Sequence, residues 1–137
     1  MDNTNYGITA TLDLDFDTAV DRTIACLKDQ GFGVLTDIDI KSTLKEKLDV
    51  DFRKYRILGA CNPPLAYQAL SAETDLGLLL PCNVIVSEVS DTATRVAVID
   101  PVAAMSVVGH DRIKPVAEQV RAKMTAVIQA LENLPPN

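Results

Sequence analysis

Apolar and polar residues alternate from Tyr6 to Leu14: Ile8, Ala10, Leu12 and Leu14 are interleaved with Thr9, Thr11 and Asp13. A period of two predicts a half-buried strand. The period then lengthens. Phe16, Val20, Thr23, Ile24 and Leu27 recur at helical spacing behind Asp15, a residue suited to an N-cap, and Cys26 falls on the flank of that stripe. Gly31 is placed to end this helix near Gln30 by taking the left-handed conformation. Alternation returns from Phe32 to Ile40, with Val34, Thr36, Ile38 and Ile40 on one face and Leu35, Asp37 and Asp39 on the other. A short charged helix is predicted over Ser42–Leu48, with Thr43 and Glu46 as a capping box. A third strand is predicted over Phe52–Cys61, basic at its start and apolar at its end.

The junction after Cys61 has a clear local logic. Asn62 suits an N-cap and Pro63 the first helical position, where a missing N–H is no loss, and Leu65, Ala66, Ala69 and Leu70 give a short apolar helical face. Strand character resumes from Leu76, with Pro81 expected at a bulge or an edge. A hairpin is predicted from Val84–Val89 and Thr94–Ile99 across Ser90-Asp91-Thr92. Asp100-Pro101 repeats the strand-to-helix junction and starts a short helix through about Val107, broken at Gly109. A last helix begins between Asp111 and Pro115 and runs to about Leu134, with Val116, Val120, Met124, Val127 and Leu131 as its stripe, before a frayed tail over 135–137. The order, with its hairpin, predicts an α+β fold with a mostly antiparallel sheet and helices packed on one face, in a single domain over residues 1–137.

Charge narrows the function. The 137 residues carry a net charge of −6, and aromatic residues make up only 4% with no tryptophan. That balance repels phosphate backbones and anionic lipids and supplies few stacking platforms, so neither nucleic acid nor a membrane surface is expected as a partner. No apolar run is long enough to span a bilayer, and the first residues lack the basic and apolar regions of a signal peptide, so a cytoplasmic protein is expected. An odd count of three cysteines argues against a secreted disulfide framework.

Two of those cysteines stand in matching contexts, Cys61-Asn62-Pro63-Pro64 and Pro81-Cys82-Asn83. Cys61 precedes a predicted helix N-terminus, where the dipole favours a thiolate and so a nucleophile or soft-metal ligand. The asparagines supply amides that both donate and accept. Should the two bends meet at one end of the sheet, they would form a shared polar pocket, with the helix N-terminus adding a preference for anions. The competing account is that both cysteines act as small hydrophobes in the core, Cys61 in register with Tyr55 and Ile57, and Cys82 with Val84 and Val86.

Other candidates are weaker. His110 is the only histidine, and nothing in the spacing places it beside a cysteine. Asp37 and Asp39 read as a solvated strand face, and Arg53, Lys54 and Arg56 as surface pairs, with Arg56 kept as a possible anion contact. No closely spaced ligand pair suggests zinc, so no metal or cofactor is expected; Cys61, Cys82 and Met105 together would suit a soft monovalent metal, although Met105 on a short apolar helix reads first as core.

Several segments are together similar to the bacterial and archaeal domain-of-unknown-function family 302. They are Gly31-Phe32-Gly33-Val34-Leu35-Thr36-Asp37-Ile38-Asp39, Lys45-Glu46-Lys47-Leu48, Tyr55 through Pro64, Leu78 through Val84, and Asp100-Pro101. The characteristic motifs of that family coincide with Arg56, Gly59, Cys61, Asn62, Pro63, Pro81, Cys82, Asn83, Asp100 and Pro101. The resemblance implies one α+β domain with a TATA-binding-protein-like order, β-α-β(4)-α with short extra helices here, and a homodimer. It implies no activity.

Three functions therefore stand. The first is binding of a small molecule, anion or partner at a pocket around Cys61, Asn62, Cys82 and Asn83, with Arg56 nearby. The second is a thiol-dependent enzyme or sulfur or redox carrier with Cys61 as its catalytic nucleophile. The third is a structural or assembly module with both cysteines in the core.

Overall fold

The structure, a computed structural model, describes residues 1–136. Its strands are β1 (Asp2–Asn3), β2 (Gly7–Leu12), β3 (Gly33–Asp39), β4 (Tyr55–Cys61), β5 (Cys82–Ser90) and β6 (Ala93–Ile99). Its helices are α1 (Phe16–Asp29), α2 (Ile40–Leu48), α3 (Pro63–Ala72), α4 (Pro101–Met105) and α5 (Ile113–Glu132), with a 3₁₀ turn over Thr74–Leu79. The strands form one antiparallel sheet in the order β1-β2-β6-β5-β4-β3. Leaving aside β1 and the short helices, this is the expected β-α-β(4)-α order. Asn137, at the end of the tail expected to fray, lies outside the described residues.

Register explains how one face becomes the core. Ile8, Val98, Val84 and Leu58 stand directly opposite one another across β2, β6, β5 and β4, and all are essentially without solvent contact. Ala10, Val96 and Val86 make a parallel row beside them. Fully burying one such aliphatic side chain stabilises by about 1.5–3 kcal/mol. Onto these rows pack Phe16, Ala19, Val20, Thr23 and Leu27 of α1 and the stripe of α5 from Ile113 to Leu131, which buries Val116, Val120, Met124, Val127 and Leu131 as the spacing predicts. The opposite face carries Ala97, Ile85, Ile57 and Ile38 in one cross-strand row, each partly or largely exposed.

Most boundaries follow the local chemistry. Asp15 caps α1, Gly31 takes φ +84°, and Asn62 and Asp100 cap α3 and α4 ahead of Pro63 and Pro101. Four expectations are corrected. Alternation in β3 is broken by a bulge: Val34 pairs with Ala60 and Thr36 with Gly59, so Leu35 is the extra residue and Val34 no longer shares a face with Thr36 and Ile38. Ile40 belongs to α2 rather than to the strand, and the cap is Asp39, whose carboxylate accepts from Ser42 N at 2.9 Å; a capping box of Thr43 and Glu46 is not formed. Leu76 lies in the 3₁₀ turn, so β5 begins only at Cys82, just past a cis Leu80-Pro81 bond. The short helix after Pro101 ends at Met105 rather than near Val107.

Gly59 fixes where Pro81 sits. It lies between Thr36 and Asn83 in the sheet, and a Cβ there would collide with Thr36 Oγ1 and come within 2.7 Å of Pro81 Cγ. The threonine hydroxyl can rotate aside; the proline ring cannot. Gly59→Ala is expected to lower unfolding free energy by about 1–3 kcal/mol in urea titration, the usual cost of overpacking. Adding Thr36→Ala should recover only part of that loss, and full recovery would show that the ring does not constrain this crossing.

Candidate functional site

The two cysteine-bearing bends do converge. Ala60 at the end of β4 pairs with Cys82 at the start of β5, which puts Cys61 one residue further along the neighbouring strand. Both cysteines, with Asn62, wall one hollow of about 280 Å³ beneath α3 and α5. The rest of its lining is hydrocarbon or thioether, including Phe32, Leu65, Leu80, Met105 and Val120. No charged side chain lines it among the described residues. Leu35, the bulged residue of β3, stands at the rim with two thirds of its surface exposed.

Residue size explains why a hollow forms here. The row of Leu58 and Val84 fills its space; the next row along the same strands is Ala60 and Cys82. From α3, Ala66 and Ala69 face the same gap. Four small side chains stand where larger aliphatics would close the core.

The thiols differ. Cys82 is buried, and burial pushes its pKa up to about 11, with the neighbouring Cys61 adding a smaller push in the same direction. It is a neutral thiol at physiological pH. Cys61 is partly exposed, and neither forms a disulfide. Cys26 lies apart on α1, and its pKa is also raised, chiefly by burial.

Asn62 is occupied with structure. Its Oδ1 accepts from Leu65 N and its Nδ2 donates to Gln30 O, each at 3.4 Å, tying the start of α3 to the end of α1. A Cβ on Gly31 would come within 3.0 Å of that same Nδ2. The helix start offers little to an anion. Pro63 and Pro64 have no N–H, Leu65 N is held by Asn62 Oδ1, and Ala66 N is held by Asn62 O.

Two candidates stand elsewhere. Asn83 is exposed beyond the Pro81-Cys82 bend and lines a different hollow with Leu78, Ile99 and Pro101. Arg56 is not among the lining residues; it pairs with Asp37 through Nε at 2.9 Å and through Nη2, and that carboxylate raises its pKa. Asp39 is the cap of α2, with a pKa lowered chiefly by the Ser42 N–H bond, so the two aspartates serve separate structural ends. His110 lines a third hollow with Lys114 and accepts from Arg112 N through Nδ1, so no histidine joins Cys61 in the first hollow. No group of three or more His, Cys, Asp or Glu is placed to hold a metal among the described residues.

Contributors absent from the sequence-based set are Phe32, Leu35, Leu80, Val116 and Val120. Apolar periodicity marks such residues as core without showing that the core is incomplete above them.

The Cys82 shift has a stability consequence. Its thiol holds a proton more tightly when folded, with pKa about 11 against a reference of 9.0. Its contribution is therefore full below pH 9 and declines as pH rises toward 11, by on the order of 2–3 kcal/mol. Denaturant titrations across that window should show a smaller loss of stability for Cys82→Ala than for the natural chain. Equal slopes would mean that Cys82 is as solvated as a free thiol.

Comparison with known proteins agrees with this architecture. The model of the family described as "Domain of unknown function DUF302" matches residues 8–131. No curated protein matches the chain. A solved structure described as an uncharacterized conserved DUF302 protein from Bacillus stearothermophilus is similar at 25% identity and a TM-score of 0.83, covering 91% of this chain and 97% of that one. The family match takes in every strand from β2 to β6 and both bends around the hollow, and the chain belongs to the DUF302 family.

Proposed function

We propose that this protein binds a small uncharged ligand in the hollow between the ends of β4 and β5 and the helices α3 and α5. One observation carries this reading: a cavity of about 280 Å³, walled by hydrocarbon and sulfur, opens beside two free thiols in a chain of 137 residues. Pockets for small molecules are mostly apolar with a few polar groups that set orientation, and this one lies near the lower end of their usual size, roughly 300–1,000 Å³. Cys61, partly exposed, is the group a ligand meets, and Cys82 stays a neutral wall. Asn62 shapes the site by holding α3 against α1. An anion is disfavoured, because its charge would meet neither a cation nor a free helix N–H on the walls.

A thiol enzyme or sulfur carrier rests on Cys61 alone and lacks a neighbouring base. The purely structural reading accounts for Cys82 and leaves the gap beside it without a purpose. Free thiols suit the cytoplasm, and no helix among the described residues is long and apolar enough to cross a membrane. For the homodimer implied by the family, the partly exposed row of Ile38, Ile57, Ile85 and Ala97 offers the apolar surface that a second copy would bury.

Ala66→Leu projects added hydrocarbon into the hollow from an exposed helix. Binding of Nile red, a neutral apolar fluorophore, should fall at least about tenfold in that variant, while its melting temperature holds or rises as for cavity-filling changes. Unchanged fluorescence, or none in the natural chain, refutes the pocket. The assembly reading is checked separately: sedimentation should give a dimer that Ile57→Lys converts to monomer, and a natural chain that sediments as a monomer removes it.

A further inference from the structure

One extra residue in β3 puts Leu35 at the hollow. Ala60 faces the core and pairs with Val34, while its neighbour Gly59 pairs with Thr36. Regular alternation would set Val34 and Thr36 on one face and turn Leu35 to the other, away from the hollow. The bulge instead turns Thr36 outward with Gly59 and leaves Leu35 on the side of Val34, where it joins the lining. It is not packed there. Leu35 is 67% exposed, and Leu70, which reaches the same hollow from α3, is 39% exposed. Single leucines in water are common on protein surfaces, but these two continue a hydrocarbon lining out to its mouth.

We infer that the hollow takes a neutral, largely hydrocarbon ligand longer than the hollow itself, whose outer part is covered by Leu35 and Leu70. This deepens the ligand-binding reading and rests on it. Leu35 is then a specificity-determining residue. A ligand that ends inside the hollow gains nothing from it. Apolar surface that projects past the mouth leaves water together with the leucine side chain, and the longer ligand is favoured. A polar extension would lose its water against the two leucines without finding a partner, because the amide of Asn62 is committed at both ends to Leu65 N and Gln30 O. Exposure in the empty protein also separates binding from folding: a side chain this far out of the core contributes little to stability, so its loss is read in affinity.

The test compares two neutral fluorophores on the purified full chain, Nile red and the smaller 1-aminoanthracene. Leu35→Ser is expected to weaken Nile red at least about fivefold and 1-aminoanthracene by less than about twofold, as the loss of apolar contact outside the hollow requires. Leu35→Met should hold Nile red within about twofold of the natural chain, since it restores a side chain of similar size. The melting temperature of Leu35→Ser should move by no more than about 2–3 °C. Should that variant unfold, Leu35→Cys decides: saturating Nile red should slow alkylation of the introduced thiol by iodoacetamide, followed by peptide mass mapping, at least about threefold. Unchanged Nile red affinity in Leu35→Ser, an equal loss for both fluorophores, or alkylation indifferent to Nile red overturns the inference. A natural chain that binds Nile red while Leu35→Ser binds it equally defeats the covering leucines and leaves the pocket; a natural chain that binds neither fluorophore defeats both.

Discussion

The registered rows of Ile8, Val98, Val84 and Leu58, and of Ala10, Val96 and Val86, hold α1 and α5 against one side of the sheet. Everything at the candidate site depends on what happens where those rows stop. One step along β4 and β5 the side chains shrink to Ala60 and Cys82, the helices cannot follow them down, and a gap opens between sheet and helix. The gap is thus a consequence of residue size set at a few positions on a rigid frame. It does not require a mobile loop, and its floor is the most regular part of the structure.

The connections at this end are held by specific contacts. Asn62 ties two helix ends with one amide, Gly59 leaves the space into which Pro81 fits, and Asp100 caps α4 through Val102 N and Ala103 N while its second oxygen meets Arg121 of α5 at 3.0 Å. The contacts of Asn62 with Gln30, Gly59 with Pro81 and Asp100 with Arg121 join segments far apart in sequence. Together they place the two cysteines and Met105 around one space. They also explain why the polar residues of the two bends contribute differently: those most useful as braces are least available to a ligand.

Much of the frame was legible in the chain because it is written in local chemistry. Period-two and helical stripes placed β2, α1, β6 and α5, and the Asn62-Pro63 and Asp100-Pro101 junctions named their own caps. The misplacements have equally local causes. A bulge at Leu35 adds one residue and reverses which side chains face inward, and an alternating pattern carries no mark of it. Asp39 competes with Thr43 as a cap and prevails because it stands where strand hands over to helix. At the site, the matched bends foretold that Cys61 and Cys82 line one hollow. They carried no mark of where Asn83 and Arg56 stand, which depends on strand alternation and on an ion-pair partner nineteen residues away.

The bulged strand β3 has one more consequence. It is the last in the sheet, so its outer backbone groups face water, and an extended segment from any other chain finds there a template for zipping on. Asp37 and Asp39 charge that border, and the kink at Leu35 bends it out of true. A flat uncharged border would favour such pairing; a bulge and acidic side chains along the strand make it less favourable.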